Sequence, residues 1–333
     1  KATVHLSARL GWEEPTTSTD FETRGYYSVY LNDLFWHAQN GTNYTTYTQA
    51  DMDQMWLRRN DKVENPERPW VMIDQREGRD TYVYYANTDW WHELFQDQRP
   101  NQQYNVSLSG GTEHVKYFVS GGFNHEEGIF RRNKDNNNKI NFRSKITFDI
   151  TKWMSLSNNT SYYKSKYDYP GVSGVNNTFS LMTVHALASY PDHNPDGTSI
   201  GYTSFASNNY VMDGMLTVLD NPAYRNSDAY DTFTNTTELT LKPLKSLEIK
   251  GNFTYTRNQY TAMNRSTNTT YSRYPGEIIN VTNSRSIDKL SENFETQHYY
   301  ATNIYATWNQ TFAADHHLKV MAGFNWETKH YED

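Results

Sequence analysis

Adjacent carboxylates are the first residues of this sequence that could perform chemistry. Two such pairs, Glu13–Glu14 and Glu126–Glu127, lie in or beside strand-like segments. Glycoside hydrolysis needs two carboxyl groups that face one bond, whereas neighbouring residues of a strand point to opposite faces. The sequence also lacks a P-loop and a dinucleotide-binding GxGxxG. We therefore expect no enzymatic activity and no cofactor.

Eleven histidines are candidate metal ligands. His92, His185 and His193 fall in predicted loops, and the sequence contains no HExxH or similarly spaced ligand pair. The amide-rich segment 133–139 lacks the spacing and the closing Glu of an EF-hand loop. The chain has no cysteine, which excludes disulfides and thiolate ligands. We predict solvated or hydrogen-bonded histidines and no metal site.

The composition is polar and at the same time rich in aromatic residues. Of 333 residues only 36% are hydrophobic and the mean hydropathy is −0.90, yet 27 Tyr and 9 Trp help to raise the aromatic content to 15%. This balance fits β-strands with one polar and one apolar face rather than a disordered chain. The net charge of −7 disfavours nucleic acid as a partner, because nucleic-acid binders carry basic surfaces.

The chain has no run of 18 apolar residues, so no transmembrane helix is predicted. It opens on KATVHLSARLGW, which is already strand-like and has neither an initiator Met nor the charged start of a signal peptide. We expect a mature or partial piece of a longer chain.

Alternation with a period of two is the main structural signal. The sharpest run, KINFRSKITFDI at 139–150, places Ile140, Phe142, Ile146 and Phe148 on one face, with Lys, Asn, Arg and Thr among the residues between them. The segment 105–130 alternates in the same way around the turn GGTEH. We predict nine strands, most of them longer than the 5–6 residues of an average soluble strand and close to the roughly 9–11 residues that cross a membrane.

The connections between these strands alternate between long and short. The predicted long connections are 14–102, 126–138, 168–231 and 258–297. The predicted short connections lie near 111–113, 151–152, 243–245 and 313–316. Outer-membrane barrels have this asymmetry, with short periplasmic turns and long extracellular loops, whereas a Greek-key sandwich does not sort its loops in this way. We predict an all-β, antiparallel up-and-down barrel whose apolar face meets lipid and whose polar face lines the lumen.

The long connections carry signals of their own. Helices are predicted at 20–39, 48–59 and 88–95, the last with Thr88 as its N-cap, and at 176–191. Loops of this length are usually functional or disordered. Because these loops are rich in Trp and Tyr, we expect them to be folded and functional.

Aromatic residues have two interpretations. A girdle at the membrane interfaces is predicted to contain Trp12, Tyr300, Trp308, Phe312, Phe324 and Trp326. Loop aromatics could instead stack on sugars or dock apolar groups, with amides and a carboxylate bonding a polar ligand. The candidate substrate-binding residues are Phe205, Asn208, Asn209, Tyr210, Asp213, Tyr224 and Tyr271. Inward polar residues, predicted to line the lumen or contact a plug, are Lys139, Arg143, Lys145, Glu248 and Lys250.

Three segments resemble a known family. TDWWHELF (88–95), QQYNVSLSGGTEHVKYFVSGGFNHEEGIF (102–130) and NNKINFRSKITFDITKWMSLSNNTSYY (137–163) are similar to the first barrel segments of SusC/RagA-type TonB-dependent transporters of Bacteroidota. The start, KATVHLSARLGWEEPT, is similar to the strand that follows the plug of these proteins.

The resemblance implies a 22-stranded barrel closed by an N-terminal plug. It also implies a SusD-like surface lipoprotein as a lid, energy supplied by TonB with ExbB and ExbD, and an oligosaccharide or oligopeptide as substrate. Residues 1–333 are expected to form about nine strands of this barrel. Because no plug or TonB box is recognised in them, no plug residue is carried over.

A different class of protein stays open at this point. A surface or soluble β-rich glycan-binding protein without transport activity would explain the aromatic residues and the polarity, but not the alternation of connection lengths. A glycoside hydrolase would need a paired carboxylate site, which the sequence does not reveal. The favoured prediction is import of an oligomeric nutrient across the bacterial outer membrane.

Overall fold

The computed structural model describes residues 1–171, 186–201, 203, 205, 215–281, 287–313 and 315–332. The helices in this part of the chain are α1 (Gly25–Asn40), α2 (Gln49–Arg58), α3 (Trp90–Leu94) and α4 (Met215–Leu219). The strands are β1 (Thr3–Glu13), β2 (Val71–Arg76), β3 (Arg79–Tyr84), β4 (Arg99–Gly111), β5 (Val115–Glu127), β6 (Asn136–Thr151), β7 (Met154–Pro170), β8 (Arg225–Leu244), β9 (Leu247–Ser266), β10 (Thr270–Tyr271), β11 (Ile279–Asn280), β12 (Lys289–Phe312) and β13 (His316–Glu332).

Nine of these strands form one sheet in the order β1-β4-β5-β6-β7-β8-β9-β12-β13. Every neighbouring pair is antiparallel. The strands β2 and β3 pair separately, as do β10 and β11, within the long connections. The predicted all-β, antiparallel class is confirmed. Among the described residues the sheet is open, with β1 and β13 at its edges.

The connections between the strands of the sheet alternate as predicted. Short turns at 112–114, 152–153 and 245–246, together with the connection from Phe312 to His316, mark the short-turn end, and the long connections share the opposite, long-loop end. The predicted connections 168–231 and 258–297 were too long, since β8 begins at Arg225, β9 reaches Ser266 and β12 begins at Lys289. The Thr, Asn and Tyr residues of these stretches pair through their backbones without the apolar alternation on which the prediction relied.

The register aligns the apolar residues of neighbouring strands on one face of the sheet. Leu6 pairs with Val106, and Tyr104 pairs with Phe123, which pairs with Ile140. This apolar face is open to its surroundings, with Leu6 73% exposed. The opposite, polar face carries ion pairs and amide ladders. The distance between Lys139 Nζ and Glu126 Oε2 there is 3.0 Å, and Asn325 donates to Asn303, which donates to Asn252.

Four polar side chains interrupt the apolar face where β7 pairs with β8. Asn158 and Thr160 project from β7 opposite Thr237 and Asn235 of β8, and we call these four residues the polar quartet. Leu156 and Leu239 lie below the quartet, toward the short-turn end, and Tyr162 and Phe233 lie above it. The alternation pattern did not predict a polar cluster at this position.

The polar quartet satisfies its own hydrogen bonds. The amide of Asn158 donates to Thr237 Oγ1 (2.9 Å) and Asn235 Oδ1 (3.3 Å). The amide of Asn235 donates to Thr160 Oγ1 (2.7 Å) and Asn158 Oδ1 (3.2 Å). Each hydroxyl donates along its own strand, Thr160 to Asn158 Oδ1 and Thr237 to Asn235 Oδ1. Every side-chain N–H and O–H of the quartet therefore has an acceptor within the quartet, which lowers the cost of leaving water.

Three of the four predicted loop helices form in the described part of the chain. α1 begins five residues after the start of the predicted 20–39 and ends one residue beyond it, and α2 lies within 48–59. The N-cap of α3 is Asp89, whose carboxylate accepts the N–H of His92. Asp89 immediately precedes the first helical residue, and the hydroxyl of Thr88 instead donates to the Tyr190 carbonyl (2.6 Å). Most of the predicted helix 176–191 lies outside the described residues, and its described end, 186–191, is not helical. No described helix is long and apolar enough to cross a bilayer.

Candidate functional site at the long-loop end

The long connections pack into a compact unit at the long-loop end, which we call the loop platform. It consists of α1, α2, the β2–β3 hairpin, α3, α4 and the described parts of the segments around them. Its core is aromatic and contains Tyr44, Tyr47, Tyr84, Trp90, Trp91, Phe95, Phe130, Tyr190 and Phe205. Burial of many large rings supplies the apolar area that stabilises a unit built from loops.

A buried carboxylate joins α2 to the β2–β3 hairpin. Asp51 is 1% exposed and closes a capping box with Thr48, whose N–H and hydroxyl both donate to Asp51 Oδ2 (2.8 Å). Its other oxygen accepts from the Tyr85 hydroxyl and the Arg76 guanidinium, each at 2.7 Å. Burial raises the pKa of Asp51, but hydrogen bonds from Tyr85 and Thr48 outweigh burial, and the pKa lies below its usual value. Asp51 therefore stays ionised and holds the two elements together.

Arg132 is the hub of a second network that connects three of the loops. From the β5–β6 connection its guanidinium reaches Glu93 (2.9 Å), Asp192 (2.7 Å) and Asp220 (2.7 Å). Glu93 belongs to α3, while the two aspartates belong to the connection between β7 and β8. Burial would lower the pKa of Arg132, but Asp220 and the other carboxylates more than offset it, so the pKa is raised. The three connections are thus held in one arrangement.

His193 completes this network. Its Nδ1 lies 3.1 Å from Asp192 Oδ2 and its Nε2 lies 3.4 Å from Asp220 Oδ2. The carboxylates of Asp192 and then of Asp220 raise the pKa of His193 to about 9, so the ring is protonated at neutral pH. His92 also bonds a carboxylate, that of Asp89 at 2.7 Å. In the described part of the chain, no group of three or more His, Asp or Glu residues is arranged to hold a metal ion.

One segment next to His193 matches the GxSxG pattern of a nucleophilic serine. The segment Gly197–Gly201 follows a turn in which the Gly197 N–H donates to the Asn194 carbonyl, and Ser199 forms a β-bridge with His193. A nucleophile elbow requires a strand before the serine and a helix after it. Both ring nitrogens of His193 face carboxylates, so neither is directed at a serine hydroxyl. The arrangement does not fit nucleophilic catalysis.

The predicted substrate-binding residues divide into two groups. Phe205, Tyr224 and Tyr271 are 4%, 6% and 8% exposed, and the Phe205 ring stacks on Tyr47 with centroids 4.9 Å apart. Their rings are largely enclosed by the loop platform, so their contact with substrate stays a prediction. The other four predicted residues, Asn208, Asn209, Tyr210 and Asp213, lie outside the described residues.

The residues that organise the loop platform were missed by the sequence prediction. Asp51 has a local signal, since Thr48 and Asp51 have the spacing of a capping box. Arg132 has none, because its partners lie 39, 60 and 88 residues away along the chain. Contacts of this range become visible only when the strands place their connecting loops side by side.

Comparison with known proteins adds a structural likeness. No protein-family model matches the sequence, and no curated protein matches it. Among solved structures, a chain of the RagAB peptide importer in the closed-closed state superposes with a TM-score of 0.62 at 14% identity, over 99% of this chain and 36% of that chain. The RagAB peptide transporter gives 0.62 at 15% identity over 99% and 35%, and the importer in the open-open state gives 0.62 at 14% over 99% and 36%.

This likeness shows the fold. The open antiparallel sheet and its folded connections have the arrangement of a segment of a RagAB importer chain. The chain spans about a third of the length of the structures it matches.

Proposed function

We propose that this chain is part of an outer-membrane transporter that imports an oligomeric nutrient, either an oligosaccharide or an oligopeptide. The observation that carries the proposal is the nine-stranded antiparallel sheet with one exposed apolar face, one polar face and all of its folded loops at one end. The likeness to the RagAB peptide importer supports it. The chain is proposed to perform no covalent chemistry and to require no cofactor.

Membrane physics supports closure of the sheet into a barrel. Lipid offers no hydrogen-bonding partner to an unpaired strand edge, so only closed barrels span a bilayer with β-strands. The edges at β1 and β13 would be joined through further strands of a longer protein, 22 in all by resemblance to the SusC/RagA family. Tyr300, Trp308 and Trp326 on the apolar face would lie in the aromatic girdles.

The polar face is proposed to line the lumen and to meet a plug. Glu248 pairs there with Lys242 (3.1 Å) and Lys250 (3.3 Å). Arg143 and Lys145 project from the same face of β6 as Lys139. Charged side chains of this kind are stable against water or a polar plug surface, and would be costly against lipid.

The partners follow from the same orientation. The loop platform would lie outside the cell, where a SusD-like surface lipoprotein could cover it and deliver substrate. Energy would come from TonB with ExbB and ExbD through a plug that the described residues do not include. The internal networks of Asp51 and Arg132 would keep the platform in one shape beneath that lid.

The proposal is tested on the full-length protein in its own host. We expect it in the outer-membrane fraction, soluble only with detergent, and we expect deletion of either its gene or TonB to abolish growth on its nutrient. A monodisperse protein in buffer without detergent would favour the alternative, a soluble β-rich glycan-binding protein. Nutrient uptake that continues without TonB would contradict the proposed energy source.

A further inference from the structure

The apolar face of the sheet contains a groove where β1, β4 and β5 lie side by side. The groove has a volume of about 640 Å³ and opens to the surroundings of the chain. Its apolar lining residues are Leu6, Ala8, Tyr104, Val106, Gly121 and Phe123. A recess of this size with apolar walls is suited to a flexible apolar chain, and we call it the apolar groove.

A glycine forms the floor of the apolar groove, although neither packing nor backbone conformation requires one there. Gly121 lies between Val106 and Phe142 in the register of the sheet. A Cβ added to Gly121 would meet no atom closer than 3.9 Å, and the φ of this residue lies outside the left-handed region. At Gly122, by contrast, an added Cβ would lie 2.5 Å from the side-chain amide of Asn141. The missing side chain of Gly121 therefore leaves space on the apolar face.

A lysine without an ion pair lies beside the apolar groove on the same face. Phe123 pairs with Ile140, and Ile140 pairs with Lys164. Neighbouring strands are about 4.8 Å apart, so the backbone of Lys164 lies about 10 Å from that of Phe123. The residue opposite Lys164 on β8 is Asp231, but this carboxylate bonds the Arg257 guanidinium (3.0 Å). Within the described ranges, no carboxylate lies within ion-pair distance of Lys164.

The charges nearest to Lys164 leave one cation in excess. Lys166 projects from the same face and pairs with Asp168 (3.0 Å). With the pair of Arg257 and Asp231, three cations there face two carboxylates. An unpaired charge beside an apolar face is costly against hydrocarbon, so Lys164 favours an anion that approaches from the surroundings of the chain.

Lys164 also lies closer to the long-loop end than the apolar groove does. β5 and β7 both begin at the short-turn end, with Gly121 six residues beyond the start of β5 and Lys164 ten residues beyond the start of β7. With about 3.3 Å per residue and a tilt of roughly 40°, this difference is about 10 Å along the axis of the proposed barrel. An elongated molecule can therefore reach Lys164 with a charged end while its apolar chain fills the groove.

We propose that the apolar groove and Lys164 together bind one membrane lipid whose headgroup carries a phosphate. One acyl chain lies in the groove over Gly121, and the phosphate binds the ammonium group of Lys164, which attracts it as a point charge. A second copy of the chain fits less well, because its own apolar face carries the same excess of positive charge. The assignment rests on the proposed function, which places this face in lipid, and it adds a lipid-selective site to that function.

The experiment is native mass spectrometry of the full-length protein, released from detergent after titration with defined lipids. The lipids are palmitoyl-oleoyl phosphatidic acid, which carries a phosphate monoester, and palmitoyl-oleoyl phosphatidylcholine, which has the same chains and a zwitterionic headgroup. Glycerol phosphate supplies the headgroup without the chains. We expect phosphatidic acid to bind about fivefold more tightly than phosphatidylcholine, the contribution of one lysine near an anionic lipid. Glycerol phosphate should not displace it.

One pair of variants tests the apolar groove. Gly121→Leu fills the groove and should weaken binding of phosphatidic acid at least about tenfold, because each methylene that loses its apolar contact changes the affinity about fourfold. The matched control is Gly251→Leu on β9, the same change on the same face outside the groove. A Cβ added to Gly251 also has space, with Ile304 Cγ1 nearest at 3.8 Å, so this variant should bind like the wild type.

A second pair tests the cation. Lys164→Gln should weaken binding of phosphatidic acid about fivefold and leave that of phosphatidylcholine unchanged. Lys145→Gln is the same change on the polar face of the sheet and should bind both lipids like the wild type.

Four results would overturn the assignment. They are equal or undetectable binding of the two lipids by the wild type, unchanged binding of phosphatidic acid by Gly121→Leu, unchanged binding by Lys164→Gln, and displacement of the lipid by glycerol phosphate. A lipid-free dimer that Gly121→Leu dissociates would also overturn it and assign the groove to a second copy. Each leaves the transporter hypothesis intact if the protein remains in the outer membrane and TonB-dependent uptake persists. Absence of the wild-type protein from the outer membrane would instead reject the proposed function itself.

Discussion

The sheet and the loop platform use the same residue types in opposite ways. In the sheet, Leu6, Val106 and Phe324 are exposed on one face, and ion pairs such as those of Glu126 with Lys139 and of Glu248 with Lys250 lie on the other. In the loop platform, Trp91 and Phe95 lie at the centre, and the buried carboxylate of Asp51 is paired with Arg76. An apolar residue therefore does not always mark a protein core, because it can also lie on a face that is open to the surroundings of the chain.

The two regions also differ in how far their stabilising contacts reach along the chain. Most strands that are neighbours in the sheet are also consecutive along the chain, so their backbones pair across a single connection. The loop platform depends on side chains that meet over long separations, such as Arg132 and Asp220. Substitutions on the faces of the sheet and substitutions in the side-chain networks of the loop platform should therefore have different effects.

The largest expected effect comes from placing a charge on the apolar face. In the proposed outer-membrane barrel, Val106→Arg should destabilise the full-length protein by about 2–4 kcal/mol, the cost of Arg near the middle of a bilayer. Ser107→Arg, one residue further and on the polar face, should cost less than about 1 kcal/mol. Urea midpoints of the protein refolded into lipid vesicles measure both. Equal midpoints for the two variants would contradict the assignment of the faces.

A smaller loss is expected when the hub of the loop platform is removed. Arg132→Leu leaves Glu93, Asp192 and Asp220 without their common cation. Because the side chains of the first two are more than a third exposed, we expect on the order of 2 kcal/mol rather than the 3–5 of a fully buried pair. The control is Lys134→Ala in the same connection, because the ion pair of Lys134 with Glu127 is long (3.6 Å) and the lysine is more than half exposed. Limited proteolysis of the loops should be faster only in Arg132→Leu, and equal rates would argue against a hub.

The polar quartet tests whether self-satisfied polar groups are tolerated on the apolar face. Asn158→Leu alone leaves hydrogen-bond donors and acceptors of Asn235, Thr160 and Thr237 without partners. It should lower the free energy of unfolding by about 1–2 kcal/mol. Replacing all four residues together, the two Asn by Leu and the two Thr by Val, should cost less than the single change, because no polar group then remains unpaired. Urea midpoints in vesicles compare the two variants. A quadruple variant less stable than Asn158→Leu would show that the quartet has a partner outside itself.

The smallest effect is a pH dependence confined to the loop platform. The pKa of His193 rises on folding from 6.5 to about 9, so protonated His193 stabilises the platform fully below about pH 6.5. This stabilisation decreases as the pH rises and is lost as it passes through about 9. Proteolysis of the loops should therefore be faster at pH 9.5 than at pH 6.5, relative to a His193→Gln variant measured at both values. A wild type and variant with the same pH profile would exclude His193 as the titrating group.

The amount that could be predicted from sequence also differs between the two regions. The alternation at 139–150 predicted β6 with its faces, because a period of two reports the local backbone directly. It missed the first residues of β12, where polar and charged side chains conceal the period. It missed the polar quartet too, because the register between β7 and β8 is not a property of either strand alone.

The candidate site was much less predictable. The aromatic residues Phe205, Tyr224 and Tyr271 were recognised as unusual for a loop, but composition could not separate a ring that packs inside from one that meets a ligand. Arg132 drew no attention, since its importance depends on Glu93, Asp192 and Asp220 from other connections. Long-range packing of this kind leaves no periodic trace in one sequence.

The lengths of the strands have a consequence for the shape of the mouth of the proposed transporter. β1 has 11 residues and β12 has 24. At about 3.3 Å per residue and a tilt of roughly 40°, β12 rises about 60 Å along the barrel axis, whereas the apolar band of such a barrel is only about 25 Å tall. On the side of β12 the strands would extend far above the lipid. The short strands β1, β4 and β5 would end closer to the membrane, beneath the loop platform. The mouth would therefore be asymmetric, with a tall barrel wall at β12 and a low rim on the side of the loop platform, and nutrient would enter over the low rim.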